Sequence, residues 1–298
     1  MDVRRTHQFL AAGSENHELA RLCRTQDLYR VRHGAFALQT PVDAPAAHHQ
    51  LVAGTWPLLG DNAVLSHGTA GLLHGLPVWD GMLATVSVTR EDGGHGRRTR
   101  WLGVHHSPLS AAEQVTIGEY RVTSIERTAI DLARTLSFDH AVAILDAALR
   151  LGAEPVLLGE VAAAAAGRKG VRVAREALGF ADRRSESVGE SISRARMLQV
   201  GLPAPELQVE VFTPSGFWVA RGDFGWRRER VIGEFDGKIK YIGPPEEVAD
   251  SVMREKAREQ AIRDAGWWVV RWSWKDLANP QAFRQRIEAA FRAAESLP

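Results

Sequence analysis

The pattern of apolar and polar positions is clearest in the last third of the chain. A helical pattern runs over residues 187–201 and ends at a Gly-Leu-Pro stop. Three strand-like runs follow, in the segments ELQVEVFT, FWVARGDFGW and RVIGEFDGKIKY. A long helix over about 245–265, a strand in WWVVRWSW and a helix in FRQRIEAAFRAA complete the chain. The pattern therefore predicts the order helix, three strands, helix, strand, helix.

The first forty residues predict helices followed by a short hairpin. ENHELARLCRTQDL has apolar residues at helical spacing, and LYRVRHGAFAL alternates apolar and basic residues around the turn residue Gly34. Helices followed by a basic hairpin outline a winged helix. The basic residues expected to contact nucleic acid here are Arg21, Arg24, Arg30, Arg32 and His33. A solvated hairpin is the alternative.

The middle of the chain predicts helices and strands around a basic loop. The segment VLSHGTAGLLHGLPVWD predicts a helix that ends at Gly75. Residues 85–106 predict strands around the loop TREDGGHGRRTR. Helices follow in ERTAIDLAR and HAVAILDAALR. His67 and His74 are interpreted as locally bonded and packed residues rather than metal ligands. The densest basic run, Arg97, Arg98 and Arg100, is either a solvated loop or a phosphate-contacting loop.

Composition changes near residue 184 and indicates a domain boundary. An Ala-rich stretch interrupted by glycines gives way to the charged segment DRRSES. Six of the nine tryptophans lie beyond it, which favours a separate C-terminal core. We expect a winged-helix-like segment at 1–45, a small α/β region at 46–184 and a C-terminal domain at 185–298. The expected fold class is α+β or α/β, with a mixed central sheet flanked by helices in the C-terminal domain.

Bulk charge gives no support to a nucleic-acid partner. The net charge is +1, with 20 Lys+Arg against 19 Asp+Glu in residues 1–184 and 17 against 17 in residues 185–298. Phosphate contacts need a basic surface, so any DNA surface must be a local patch. One cysteine excludes an intrachain disulfide and a thiolate zinc site, which is consistent with a reducing cytoplasm. No run approaches the roughly 20 apolar residues of a membrane helix, so no membrane partner is expected.

Acidic residues gather on the predicted third strand. Glu234, Asp236 and Lys238 share one face because side chains alternate with period two. Asp223 lies eleven residues earlier, at the end of the preceding strand, and a tight turn would bring it alongside. Carboxylate oxygens are the ligands that Mg²⁺, or Mn²⁺, prefers. The cluster therefore predicts a metal site, with Asp223, Glu234 and Asp236 as ligands.

Each residue of this cluster has an expected role. Glu234 would bind the metal or act as base, and Lys238 would stabilise the transition state. Glu190, in the first turn of the preceding helix, would lie in the outer shell. The alternative is a network of ion pairs in which Glu234, Asp236 and Lys238 neutralise one another with Arg221.

The C-terminal pattern resembles a known nuclease superfamily over about residues 186–295. Element order and the segment GEFDGKIKY are similar to PD-(D/E)xK nucleases, more narrowly to very-short-patch-repair-endonuclease-like domains. The resemblance implies a restriction-endonuclease-like fold, with Glu190, Asp223, Glu234 and Asp236 at the matching acidic positions. In the superfamily a lysine stands two residues after the second acid; here Asp236 occupies that place and Lys238 follows two residues later.

The N-terminal half resembles abortive-infection AbiEi antitoxins over about residues 5–155. The similar phrases are LYRVRHGAFAL, LSHGTAGLLHGLPV and VTSIERTAIDLAR. AbiEi antitoxins are transcriptional autoregulators, so the resemblance implies DNA and a cognate toxin as partners, and oligomers are possible. The leading expectation is a Mg²⁺-dependent endodeoxyribonuclease delivered to DNA by its N-terminal unit. The alternatives are a non-catalytic, antitoxin-like repressor with a degenerate nuclease fold, and a protein that neutralises a toxin.

Overall fold

The chain is a mixed α and β structure, seen here in a computed structural model that describes residues 3–94, 96–237 and 245–296. The helices are α1 (Thr6–Ala11), α2 (Asn16–Arg24), α3 (Ala44–Thr55), α4 (His67–His74), α5 (Ile125–Ala133), α6 (Phe138–Arg150), α7 (Pro155–Ala164), α8 (Val171–Phe180), α9 (Val188–Gln199), α10 (Pro245–Asp264), α11 (Trp274–Leu277) and α12 (Pro280–Glu295). The strands are β1 (Val3–Arg5), β2 (Tyr29–Arg32), β3 (Ala35–Ala37), β4 (Val64–Leu65), β5 (Val86–Arg90), β6 (Arg97–Arg98), β7 (Leu102–His106), β8 (Gln114–Ile117), β9 (Tyr120–Thr123), β10 (Glu206–Phe212), β11 (Trp218–Trp226), β12 (Val231–Phe235) and β13 (Trp268–Trp272).

The described strands form three sheets. The first, in the order β1-β3-β2, is antiparallel. The second has the order β6-β7-β5-β4-β9-β8 and mixes parallel and antiparallel pairs. The third has the order β10-β11-β12-β13, with β12 and β13 parallel across the α10 connection. A mixed sheet with helices in the C-terminal part confirms the coarse fold class expected from the sequence.

Two compact units divide the chain, and neither is continuous. The first comprises residues 1–135 and 153–169, and the second comprises residues 136–152 and 170–298. Helices α6 and α8, which precede residue 184, therefore belong with the C-terminal sheet. The boundary at residue 184 was predicted from the composition of a linker, whereas the two units are defined by packing. Helix α6 belongs to the second unit because it packs against both α8 and α9.

In the first unit, the segment 1–45 packs against the residues that follow it in the chain. Val31 and Ala37, on the hairpin of β2 and β3, lie in one apolar cluster with Leu51 and Val52 of α3. The same cluster includes residues of β4, β5 and β9. Gly34 turns the hairpin at φ +77°, a left-handed conformation that glycine adopts without steric cost. The hairpin predicted from the sequence is thus confirmed, and its apolar face packs against α3.

The second unit buries apolar side chains on both faces of its sheet. One face contributes Phe224 and Trp272 to a cluster with α9 and α12, and the other contributes Ile232 to a cluster with Ile262 of α10. The order helix, three strands, helix, strand, helix is confirmed in α9, β10–β12, α10, β13 and α12. Ser187 begins α9 as predicted, because its Oγ accepts a hydrogen bond from the Glu190 N–H at 3.1 Å.

No helix within the described ranges combines the length and the apolar character that crossing a membrane requires.

Candidate functional site

Asp223 lies at the point where the pairing of β11 and β12 ends. The last registered pair is Phe224 with Gly233, and beyond it Asp223 Oδ2 accepts the backbone N–H of Phe235 at 3.0 Å. A carboxylate that accepts a backbone N–H keeps a fixed orientation. The hydrogen bond therefore ties Asp223 to the segment that carries Glu234 and Asp236, as the strand pattern predicted.

Glu234 is held between two arginines. Its Oε1 accepts from Arg258 Nη2 at 2.6 Å, and its Oε2 accepts from Arg271 Nε at 2.9 Å. Arg271 stands opposite Glu234 in the parallel register of β12 and β13, and Arg258 lies on α10. Burial acts to lower the pKa of Arg258, but the hydrogen bond and charge of Glu234 outweigh it, so the pKa is raised. Glu234 is therefore a carboxylate with an arginine partner on each oxygen.

The two arginines extend this contact into a network along α10. Arg271 also pairs with Glu255 at 2.7 Å and with Glu259, and Arg258 pairs with Glu255 at 3.2 Å. An ion-pair network was the alternative interpretation of the acidic cluster, and Glu234 does belong to one. Its partners differ from those expected, because Arg221 pairs instead with Glu186 at 2.9 Å.

Glu190 has a local structural role at the start of α9. It is buried, and its Oε2 accepts from the Glu186 N–H at 2.8 Å and from Gln208 Nε2 at 3.0 Å. Gln208 lies on β10 between the pairs that flank Asp223 on β11, so this contact links Glu190 to the level of Asp223. The structure thus links Glu190 to β10, with its Oε2 accepting two hydrogen bonds.

Asp236 follows directly on β12. Its backbone N–H donates to the Trp272 carbonyl oxygen at 2.8 Å, which continues the pairing with β13 by one residue. Lys238 lies outside the described residues. The side chains that could hold Mg²⁺ or Mn²⁺ are Asp223 and Asp236, since both oxygens of Glu234 are bound to arginines. Within the described ranges, no three His, Cys, Asp or Glu side chains form a metal-ligand group. Magnesium commonly uses only one or two protein carboxylates, so the donor chemistry of this pair fits it.

The basic residues predicted to contact DNA differ in their exposure to solvent. Arg21, Arg24, Arg30, His33, Arg97, Arg98 and Arg100 are exposed. Two of them lie over aromatic rings: Arg30 is 5.5 Å from the Phe36 centroid and Arg100 is 4.5 Å from the Trp101 centroid. Arg32 differs, because it is half-buried and donates to Thr55 Oγ1 at 3.2 Å. Burial and then Arg5 lower its pKa. Arg32 therefore contacts α3 and does not extend the exposed basic surface.

A second polar cluster, in the first unit, was not predicted. His67 stacks on His105 at 3.6 Å between ring centroids, next to the buried ion pair of Arg127 and Asp131. Burial is the main reason that the pKa of His67 is lowered, to about 4. As expected, His67 hydrogen-bonds locally, with Nδ1 3.0 Å from Ser66 Oγ, and His74 packs with its Nε2 2.7 Å from the Thr123 carbonyl oxygen. The available sequence signal was ERTAIDLAR, which places Arg127, Asp131 and Arg134 among apolar residues on one helix.

The lowered pKa of His67 predicts a loss of stability in acid. The unfolded histidine takes up its proton near pH 6.5, whereas the folded one does so only near pH 4. The contribution of His67 to the free energy of unfolding is therefore fully present above pH 6.5. It decreases as the pH falls towards 4, by at most about 3 kcal/mol. Asp131 opposes the shift, and His105, Arg127 and Arg134 reinforce it. Urea titrations of the wild type and of His67→Gln between pH 7 and 4 should diverge; parallel curves would contradict the assignment.

The chain belongs to a family that includes two proteins of Mycobacterium tuberculosis. It is similar to Uncharacterized protein MT2308 of strain CDC 1551 / Oshkosh and to Uncharacterized protein Rv2248 of strain ATCC 25618 / H37Rv. Each alignment has 34% identity over 245 residues, covering 82% of this chain and 84% of the relative. No protein-family profile matches the chain. The alignment is longer than either unit, so it includes residues of both.

Proposed function

We propose that the protein binds DNA and hydrolyses its phosphodiester bonds with Mg²⁺ at the end of β12. The observation that carries the proposal is the hydrogen bond from the Phe235 N–H to Asp223 Oδ2. This bond holds Asp223 next to the segment from Glu234 to Asp236. The helix, strand and connection order of the second unit supports a restriction-endonuclease-like fold. The basic hairpin of β2 and β3 supports a winged-helix role for the N-terminus. Both assignments, and a cytoplasmic location, are part of the proposal.

In this proposal Asp223 and Asp236 hold the metal ion. When bound, Mg²⁺ would polarise the phosphoryl group and lower the pKa of a bound water. Asp223 is oriented for this by the Phe235 N–H. Glu234 is paired with Arg258 and Arg271, so in this proposal it supports the segment that carries Asp236. The exposed arginines of the first unit would contribute non-specific phosphate contacts.

We expect Asp223→Asn and Asp236→Ala each to abolish metal-dependent nicking. Asparagine keeps an acceptor for the Phe235 N–H, so the first change removes charge with little change of shape. The full chain would be incubated with supercoiled plasmid and with single-stranded DNA, in Mg²⁺, in Mn²⁺ and in chelator. Asp264→Asn is the matched control, because Asp264 is an exposed acid at the end of α10. Nicking that persists in both site variants, or in chelator, would contradict the proposal.

One observation favours a second function, that of a non-catalytic DNA-binding regulator of the antitoxin type. Both oxygens of Glu234 are already paired with arginines, as in an ion-pair network that only stabilises the fold. Such a protein would bind a particular duplex tightly, without cleavage in any metal, and a cognate toxin would be its second partner. The plasmid assay, combined with a binding titration on duplex DNA, separates the two functions.

A further inference from the structure

The first unit contains a polar cavity of about 500 Å³ beside α5. This volume is within the range of roughly 300–1,000 Å³ that is typical of small-ligand sites. Its wall is formed by the ends of β5 and β7, by α5 and by the segment after α7. All of these belong to the same unit. The cavity therefore has a fixed frame that does not depend on the carboxylates of the second unit.

Two guanidinium groups in this cavity converge on one neutral oxygen. Ser107 Oγ accepts from Arg127 Nη2 at 2.6 Å and from Arg168 Nη1 at 2.7 Å. Burial, and after it Arg127, lower the pKa of Arg168. The hydroxyl does not offset the repulsion between the two guanidinium groups, although Arg127 also has carboxylate partners. An anion placed there would accept charge-assisted hydrogen bonds from both groups.

Cations outnumber carboxylates along the wall. The charged side chains that line it are Arg127, Arg134, Arg168, Lys169 and Asp131. Asp131 is already engaged, by Arg127 Nε at 2.7 Å and by Arg134 Nη1 at 2.8 Å, and Arg127 also pairs with Glu113 at 2.9 Å. These pairs neutralise Arg127 and Arg134, whereas Arg168 meets a hydroxyl. The remaining positive charge favours an anionic ligand over a neutral or cationic one.

The opposite side of the cavity offers uncharged donors. Thr89 is fully buried on β5 and lines the cavity, and among the described residues its hydroxyl has no hydrogen-bond partner. Buried hydroxyls normally have partners, so the Thr89 hydroxyl is a candidate donor to a ligand in the cavity. His105 stands opposite Thr89 in the strand register, stacked on His67. His67 has φ +48°, a conformation that is costly for residues other than glycine and is concentrated at functional sites.

We propose that this cavity binds a phosphate group, as free phosphate or as the phosphate of a small phosphomonoester. Arg168 and Arg127 bind its oxygens on one side, with Ser107 between them. Thr89 and the neutral imidazoles of His67 and His105 donate from the other side. Tetrahedral oxygens with several acceptor positions match this mixture of fixed guanidinium forks and single donors. The site is separate from the proposed metal site and does not depend on nuclease activity.

Calorimetric titration of the full chain with inorganic phosphate and with adenosine 5′-monophosphate tests the proposal. We expect saturable binding of at least one of them, and about tenfold weaker binding in Arg168→Gln. Stronger binding of inorganic phosphate identifies the free ion, and stronger binding of the nucleotide identifies a phosphomonoester. Arg172→Gln makes the same change of net charge at an exposed position of α8, and it should bind as the wild type does.

A second variant keeps the test independent of folding. Thr89→Val replaces a buried hydroxyl, which has no partner in the part of the chain that the structure describes, by a methyl group of similar size, so its melting temperature should be unchanged or higher. Its phosphate affinity should nevertheless decrease. No binding of either compound, or equal affinity in wild type, Arg168→Gln and Thr89→Val, overturns the proposal. Displacement of bound phosphate by short duplex DNA would overturn the small-ligand assignment, because the cations would then belong to the DNA surface.

Discussion

We expect Asp146→Ala to lower the free energy of unfolding of the second unit by about 3–5 kcal/mol. Asp146 lies on α6 and is fully buried. Its Oδ1 accepts from Arg194 Nη2 at 3.2 Å and from the Asp182 N–H at 2.7 Å. Burial raises the pKa of Asp146, and Arg194 only partly offsets this effect. Removing the carboxylate leaves the Arg194 charge in a buried place without its counterion.

The measurement is a urea titration of the full chain followed by tryptophan fluorescence, which reports mainly on the second unit. Glu206→Ala is the control, because Glu206 forms an ion pair with Arg227 in which both side chains are about half exposed. Exposed pairs contribute little, so the control should lose less than about 1 kcal/mol. Equal losses in the two variants would show that solvent reaches Asp146, contrary to the structure. The double change Asp146→Leu with Arg194→Met should recover much of the stability.

We also expect Gly189→Ala to destabilise the same unit, by about 3 kcal/mol. Gly189 is in the first turn of α9, and a Cβ built there would lie 2.0 Å from Cε1 of Phe235. Phe235 has little room to move, because its ring packs edge-to-face against Trp274 at 4.9 Å between centroids. Either α9 or the end of β12 must shift, and both carry residues of the candidate metal site.

Gly179→Ala provides the comparison, because Gly179 is also helical and a Cβ there would meet nothing within 4 Å. Alanine has the higher helix propensity, so this variant should gain up to about 1 kcal/mol. Opposite signs for the two substitutions in thermal or urea unfolding are expected. A neutral Gly189→Ala would mean that α9 is not seated against Phe235. Loss of nicking with unchanged stability would instead indicate that the site moves while the core holds.

The elements of the second unit were predictable because their signals are local. The alternation in RVIGEFDGKIKY and the Gly-Leu-Pro stop at residues 201–203 are visible in neighbouring residues of the sequence, and β12 and α9, which ends at Gln199, agree with them. The partners of Glu234 were not predictable in this way. Arg271 reaches Glu234 only because β13 returns parallel to β12 after α10, and Arg258 depends on how α10 packs. The carboxylates could be named from the sequence, but not the cations that pair with them.

The same distinction explains the boundary and the second cluster. DRRSES is a polar segment, and composition alone marks it as a linker. The contact of Asp146 with Arg194 crosses it from α6 to α9, joining residues 48 positions apart. His105, Arg127 and Arg168 likewise come from a strand, a helix and a loop that are distant in sequence. Arg32 had the alternation of an exposed hairpin residue, but its Thr55 partner on α3 was not visible in the local pattern.

The interleaving of the two units has a consequence for synthesis on the ribosome. Helix α6 is made before the last segment of the first unit, yet it packs against α9, which emerges roughly 40 residues later. At about 5–20 residues per second, the face of α6 that packs against α9 stays uncovered for roughly 2–8 seconds. The nascent chain therefore exposes an apolar helix face during that interval. Slower translation over residues 150–190 should increase the demand for chaperones, and expression of residues 185–298 alone should give an incomplete, aggregation-prone fragment.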